Sequence, residues 1–143
     1  MGEEEALYTW HCLCGDVAYE IKGSPVCTAI CHCEECRRFA GCAAHCTGYP
    51  ASAVEAGCFQ FTKGKDSLTC YEYTPGKRRH TCKRCGTWVH NILPNGMHVF
   101  PVAALDPVKG PPIKPQMHVF IADKGHTDIP DDGLPRYDGW PPM

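Results

Sequence analysis

The sequence predicts a mainly β domain, and three observations carry that expectation. Apolar residues recur with period two over short runs, the alternation of a half-buried strand. Gly, Pro and Asn fall at the breaks, where turns need them. No stretch sustains the 3.6-residue stripe of an amphipathic helix. In chain order, Leu7–Leu13 opens the series, and Val17–Lys22 follows by alternating Val17, Tyr19 and Ile21 with Ala18, Glu20 and Lys22. The remaining expected strands are Val26–Cys31, Cys58–Thr62, Leu68–Tyr73, Arg79–Cys82, Thr87–Leu93, Met97–Ala103 and Met117–Ala122. Thr74-Pro75-Gly76 and Pro94-Asn95-Gly96 read as hairpin turns, the second strongly, because Asn-Gly tolerates positive φ. Helix is expected only around Glu34–Phe39 and as one turn after Ser52. The 143 residues fit a single domain, with its β core over 7–105 and a tail over 106–143. Eight of the 13 prolines lie in that tail, which should be largely irregular and wrap the core.

Composition narrows the function classes. Twelve cysteines in 143 residues reach the range where secreted disulfide scaffolds begin. The opening Met1-Gly2-Glu3-Glu4-Glu5 is acidic where a signal peptide is basic, and no apolar run follows it. Ala6 stands where a myristoylation signal wants Ser or Thr. No apolar stretch approaches a membrane span. The expectation is therefore a cytoplasmic or nuclear protein, neither secreted nor bound to membrane. In a reducing compartment thiols more often bind metal or do chemistry than form bridges. A net charge of −2 gives no general field for nucleic acid.

Seven cysteines form three ordered groups: Cys12-Leu13-Cys14-Gly15, Cys31-His32-Cys33-Glu34-Glu35-Cys36 and Cys82-Lys83-Arg84-Cys85-Gly86. Cys-x-Cys on an extended strand turns two thiols to one face. Cys-x-x-Cys is the knuckle of zinc sites, and Gly15 and Gly86 follow where such turns need no Cβ. The simplest partition joins the two Gly-terminated groups, Cys12, Cys14, Cys82 and Cys85, as a closed structural zinc site. Cys31, Cys33 and Cys36 then form a second zinc site with an open position, the pattern of a catalytic centre. An iron–sulfur cluster is the competing reading for the thiolates. Cys42, His45 and Cys46 lie close enough in sequence to supply a fourth ligand, and such a closed site would be structural.

These groups resemble the glutathione-dependent formaldehyde-activating enzymes and the related domain of centromere protein V. The resemblance runs from His11-Cys12-Leu13-Cys14-Gly15 through Cys31-His32-Cys33-Glu34-Glu35-Cys36-Arg37-Arg38 and Cys82-Lys83-Arg84-Cys85-Gly86-Thr87 to His118-Val119-Phe120 and Asp132-Gly133-Leu134-Pro135-Arg136-Tyr137. It implies an Mss4-like β fold, two zinc ions in the partition above, and chemistry at Cys31, Cys33 and Cys36. The activity it implies is that of a carbon–sulfur lyase joining glutathione and formaldehyde as S-hydroxymethylglutathione, or acting on another small electrophile or thiol conjugate. The centromere relative implies a non-catalytic binding module as the alternative.

Other residues are assigned more simply. Arg37 is the candidate contact for a substrate anion, and Glu34 and Glu35 are candidate proton carriers. Lys77-Arg78-Arg79 with Lys83-Arg84 reads as a solvated hairpin, a grip for glutathione's carboxylates or a nucleic-acid patch, the last thin because no aromatics are interleaved. His32 should face away from the metal loop. Cys27, Cys58 and Cys70 should be small core residues, and Trp140 either packs or covers a pocket. The expected partner is a small molecule such as glutathione; the oligomeric state stays open.

Overall fold

Alternating apolar residues resolve into two sheets that share one core. The computed structural model describes residues 7–107 and 110–142; the acidic N-terminal run lies outside the described residues. The elements are β1 (Tyr8–His11), β2 (Ala18–Ile21), β3 (Cys27–Cys31), α1 (Glu34–Ala40), β4 (Ala44–Tyr49) and α2 (Ala51–Glu55). They continue with β5 (Phe59–Lys63), β6 (Leu68–Thr74), β7 (Lys77–Cys82), β8 (Trp88–Ile92), β9 (His98–Pro101) and β10 (Met117–Val119). The smaller sheet runs β1-β2-β5 and the larger β10-β3-β4-β9-β8-β7-β6. Every pairing is antiparallel except β10 with β3. The architecture is the mainly β, Mss4-like one.

The core lies between the sheets. Trp10 and Tyr19 stack at 4.6 Å on the smaller sheet, and Tyr49, Val89 and Phe100 meet them from the larger one. Buried tyrosines need partners for their hydroxyls: Tyr19 donates to the Val89 carbonyl and Tyr49 to that of Gly23. Both expected turns form, with Gly76 at φ 81° and Gly96 at φ 85°. Gly64 is constrained from two sides. Its φ is +74°, and a Cβ there would run into the Asp16 carbonyl.

Each expected strand is present to within a few residues at its ends, but β4 is an addition. Its sequence, Ala-His-Cys-Thr-Gly-Tyr, carries only one large apolar residue, so no alternation announces it. Two single-residue expectations also change. Cys70 is exposed on β6, near the edge of the large sheet, and Cys27 borders a cavity rather than filling the core.

The face of the large sheet turned away from the core carries a single cross-strand rung. Cys27 pairs with Gly48, Gly48 with Val99, Val99 with Asn91, Asn91 with Arg79 and Arg79 with Tyr71. Because strand side chains alternate, these residues share one face. Alongside that rung, Cys31 pairs with Ala44 and Ala29 with Cys46. Small side chains on β3 and β4 leave a depression there. Helix α1 borders it on one side and the Pro-rich tail on another.

Candidate metal centres

The first cysteine cluster ties the two sheets together. Cys12 and Cys14 lie at the end of β1, Cys82 ends β7, and Cys85 follows in the knuckle. Their four sulfurs all lie within 4.8 Å of one another. Gly15 and Gly86 close the turns at φ 82° and 76°, each amide donating back to the carbonyl of Cys12 or Cys82. Cys12 Sγ is 3.6 Å from Cys14 Sγ, and Cys14 Sγ is 3.7 Å from Cys82 Sγ. Four thiolates around a tetrahedral zinc at 2.3 Å would sit about 3.8 Å apart, so the spacing fits an ion of that size and is far too long for disulfides. Backbone amides of Val17 and Cys85 point at Cys12 Sγ and Cys82 Sγ, as thiolate acceptors require. The Thr87 hydroxyl and amide hold Cys85 down to about 5.

The second cluster is built by the entry into α1. Cys31 ends β3, Cys33 is the N-cap of the helix, and Cys36 is its buried face. The Cys33 sulfur accepts the Cys36 amide at 3.3 Å, which locks the loop around the three thiols. Gly41, at φ 76°, ends the helix by donating to the Arg37 carbonyl. The sulfurs of Cys31, Cys33 and Cys36 lie within 4.8 Å of one another, and no further His, Cys, Asp or Glu among the described residues joins them. Close sulfurs cannot all ionise alone. Hydrogen bonds from Cys31 and Cys36 pull Cys33 down to about 2, while the bond to Cys33 pushes Cys31 up. Such a donor set suits a divalent cation, which would let the sulfurs ionise together.

Cys42, His45 and Cys46 stand apart from this set. Cys42 is exposed, with its sulfur on the Ala40 carbonyl. His45 alternates to the other side of β4. Cys46 shares the face of Cys31 but sits one pair farther along the strands, where burial pushes its thiol up.

All three clustered sulfurs border a cavity of about 360 Å³ whose floor is the cross-strand rung. Glu35 organises its polar wall. One carboxylate oxygen accepts Lys77 Nζ at 2.8 Å and the other accepts Arg79 Nε at 2.8 Å. Arg79 is only 3% exposed. Its Nη2 lies 3.6 Å from Cys36 Sγ, and its guanidinium lies 4.9 Å from the Phe39 ring centre. Arg37 does not line the cavity. Its Nε donates to the His32 carbonyl and its side chain passes Gly125 in the tail, so the guanidinium facing the thiols is that of Arg79. The basic hairpin is thus divided by alternation: Lys77 and Arg79 turn inward, and Arg78 pairs outside with Glu72.

His32 faces away from the thiols and is buried rather than at the surface. Its Nε2 meets His118 Nδ1 at 2.9 Å, and His118 Nε2 meets Asp132 at 2.8 Å. This relay ties the metal loop to β10 and the tail. The backbone of Phe120 and Ile121 then bonds Gly139 and Tyr137, which brings Trp140 to the cavity mouth. Local sequence gives no sign of the relay, because its members are 86 and 14 residues apart.

Fold and site together define a mainly β domain carrying one four-cysteine and one three-cysteine cluster, each able to hold a metal ion. The family model described as glutathione-dependent formaldehyde-activating enzyme matches residues 7–123, and the chain belongs to that family. The crystal structure of a Rhodobacter sphaeroides protein is similar, with a TM-score of 0.56 and 23% identity, over 71% of this chain and 90% of that one. At this identity the likeness speaks for the fold. Comparison with curated proteins gives no match. No helix among the described residues is long and apolar enough to cross a membrane.

Proposed function

We propose that the protein is a zinc-dependent carbon–sulfur lyase that makes or breaks the bond between a thiol sulfur and a carbonyl carbon. The reference reaction, the one the family resemblance implies, joins glutathione and formaldehyde as S-hydroxymethylglutathione. One observation carries this reading: three thiols on the wall of a cavity, without a fourth ligand residue among the described ones. Cys12, Cys14, Cys82 and Cys85 would hold the structural ion, and Cys31, Cys33 and Cys36 the reactive one. An ion at the second site supplies Lewis acidity, either lowering the pKa of a substrate thiol or polarising a carbonyl.

The chain's own groups do the rest. Arg79 donates toward Cys36 Sγ and offsets the negative charge of the thiolates. Glu35 is occupied in fixing Arg79 and Lys77; of the other wall carboxylates, Glu34 and Asp123, we assign the proton to Glu34, which directly follows Cys33. In addition, the thiol sulfur bonds to the carbonyl carbon, and the thiol proton ends on the former carbonyl oxygen.

The test is proton NMR exchange between free formaldehyde and its thiol adducts, using protein carrying two zinc ions per chain. Acceleration over the spontaneous reaction, abolished in Cys33→Ser, supports the reading. No acceleration with glutathione or with any thiol named below would overturn it and leave a zinc-scaffolded binding module. Cobalt in place of zinc gives a second check: a four-thiolate spectrum at the second site would mean that it is closed.

A further inference from the structure

We infer that the thiol this cavity takes has an apolar body, unlike the zwitterionic peptide chain of glutathione. The inference rests on the function proposed above and narrows its substrate.

Charge is the first reason. Glu34, Glu35 and Asp123 border the cavity against Lys77 and Arg79, and Arg38 balances Glu34 only from outside the wall. Three thiolates around one divalent ion add a further negative charge. Glutathione carries two carboxylates against one ammonium, and this field opposes its net negative charge.

Availability of donors is the second. Both cations already share one counter-charge, since Lys77 and Arg79 occupy the two oxygens of the same Glu35 carboxylate. Within the Arg79 guanidinium, Nε is on Glu35 and Nη2 on Cys36, while Nη1 is buried with no acceptor. A buried charged N–H without a partner is costly, and such groups in native proteins call for an explanation. One acceptor atom of a ligand would satisfy it. Among the lining residues it is the one buried polar side-chain atom without a partner, so a single acceptor on an otherwise apolar ligand suits it.

Shape is the third. The remaining wall is mostly apolar, with Ala29, Leu93, Met97, Val99 and Val119 outnumbering Thr47 and Asn91. The mouth carries Tyr73 and Trp140, which are 56% and 67% exposed, beside Phe120. Among the described residues Phe120 is alone as a non-glycine with positive φ, at 57°. Its amide donates to the Gly139 carbonyl, and its ring meets Trp140 edge-on at 5.0 Å. A strained backbone held in place by its surroundings is a feature of ligand clamps. Here the strain sets two aromatic rings at the opening, where they can close over an apolar body.

Calorimetric titration of the zinc-loaded protein tests this with three thiols: glutathione, phenylmethanethiol and 4-sulfanylbenzoate. Both aromatic thiols should bind at least about ten-fold more tightly than glutathione. Trp140→Ala, an exposed position that spares the core, should weaken both aromatic thiols about five-fold and leave glutathione unchanged. Arg79→Lys, used once its melting curve shows it folded, should weaken 4-sulfanylbenzoate and not phenylmethanethiol. Glutathione binding as tightly as the aromatic thiols, or insensitivity of the aromatic thiols to Trp140→Ala, overturns this inference while leaving the lyase reading standing. If none of the three thiols binds, both fall.

Discussion

Glu35 shows how much of the site hangs on one side chain. It sits in the first turn of α1, yet its two oxygens fix Lys77 and Arg79 on β7. Replacing it with Gln keeps the shape and removes the charge. Arg79, 3% exposed, would then lack its counter-ion. Breaking a buried pair by removing one partner costs about 3 kcal/mol or more. Glu35→Gln should therefore lower the midpoint of chemical denaturation, while Glu72→Gln, which breaks only the exposed pair with Arg78, should change it little. Equal effects would contradict this account of Arg79. Gly64 makes a second residue-scale case. Gly64→Ala must place a Cβ into the Asp16 carbonyl at a φ that L residues avoid. A loss of more than about 2 kcal/mol is expected, read as a fall in Tm.

At the scale of elements, the two cysteine clusters differ in what they join, and their removal should differ accordingly. Cys12, Cys14, Cys82 and Cys85 connect the end of β1 to the end of β7, across the sheets. Cys31, Cys33 and Cys36 span only the end of β3 and the start of α1. Cys12→Ser should abolish folding or lower Tm steeply, because metal binding there is folding free energy. Cys33→Ser should cost one metal equivalent per chain and the activity, with far-UV circular dichroism preserved. A Cys33→Ser chain that fails to fold would make the second ion structural. The contrast follows from spacing that was readable in the sequence: seven cysteines in three groups already separate into a set of four and a set of three. Alternation likewise gave the strands bearing large apolar residues. It did not give β4, where small and polar side chains floor a cavity on one face and pack on the other. Arg79 illustrates the same limit. It lies three residues before Cys82, so alternation alone places it on the face opposite that thiol. That this face is buried depends on α1, which no local pattern reveals. The partnership of His32, His118 and Asp132 arises only from tertiary contact, so the tail's attachment to the metal loop had no local signature.

For the whole molecule, the two faces of the large sheet have different chemistry, and the core-side face gives the protein a pH dependence. His80 on β7, His90 on β8 and His98 on β9 lie in contact there, with His80–His90 and His90–His98 ring centres 4.7 and 5.2 Å apart. Phe59 packs against His90 and His98, and Phe61 against His90. Burial lowers the pKa of all three, and the neighbouring charges of His80 and His98 help bring His90 down to about 2. An unfolded chain protonates these rings as the pH falls through about 6.5. The folded chain resists, so below that pH the unfolded state binds more protons and stability drops. Each resisted proton costs about 1.4 kcal/mol per pH unit, and above about pH 7 the contribution is flat. Denaturation at pH 7.5, 6.5 and 5.5 should show this fall. Thiolate sites also weaken in acid as they lose metal, so the parent curve alone does not assign the slope. His90→Phe does, because a phenyl ring fits among Phe59, Phe61 and Phe100 and leaves both cysteine clusters in place. Its stability should fall less steeply than that of the parent between pH 6.5 and 5.5, by about 1 kcal/mol over that unit. Parallel curves would mean that His90 takes up its proton as readily in the folded state as in the unfolded one, and that the acid sensitivity arises elsewhere.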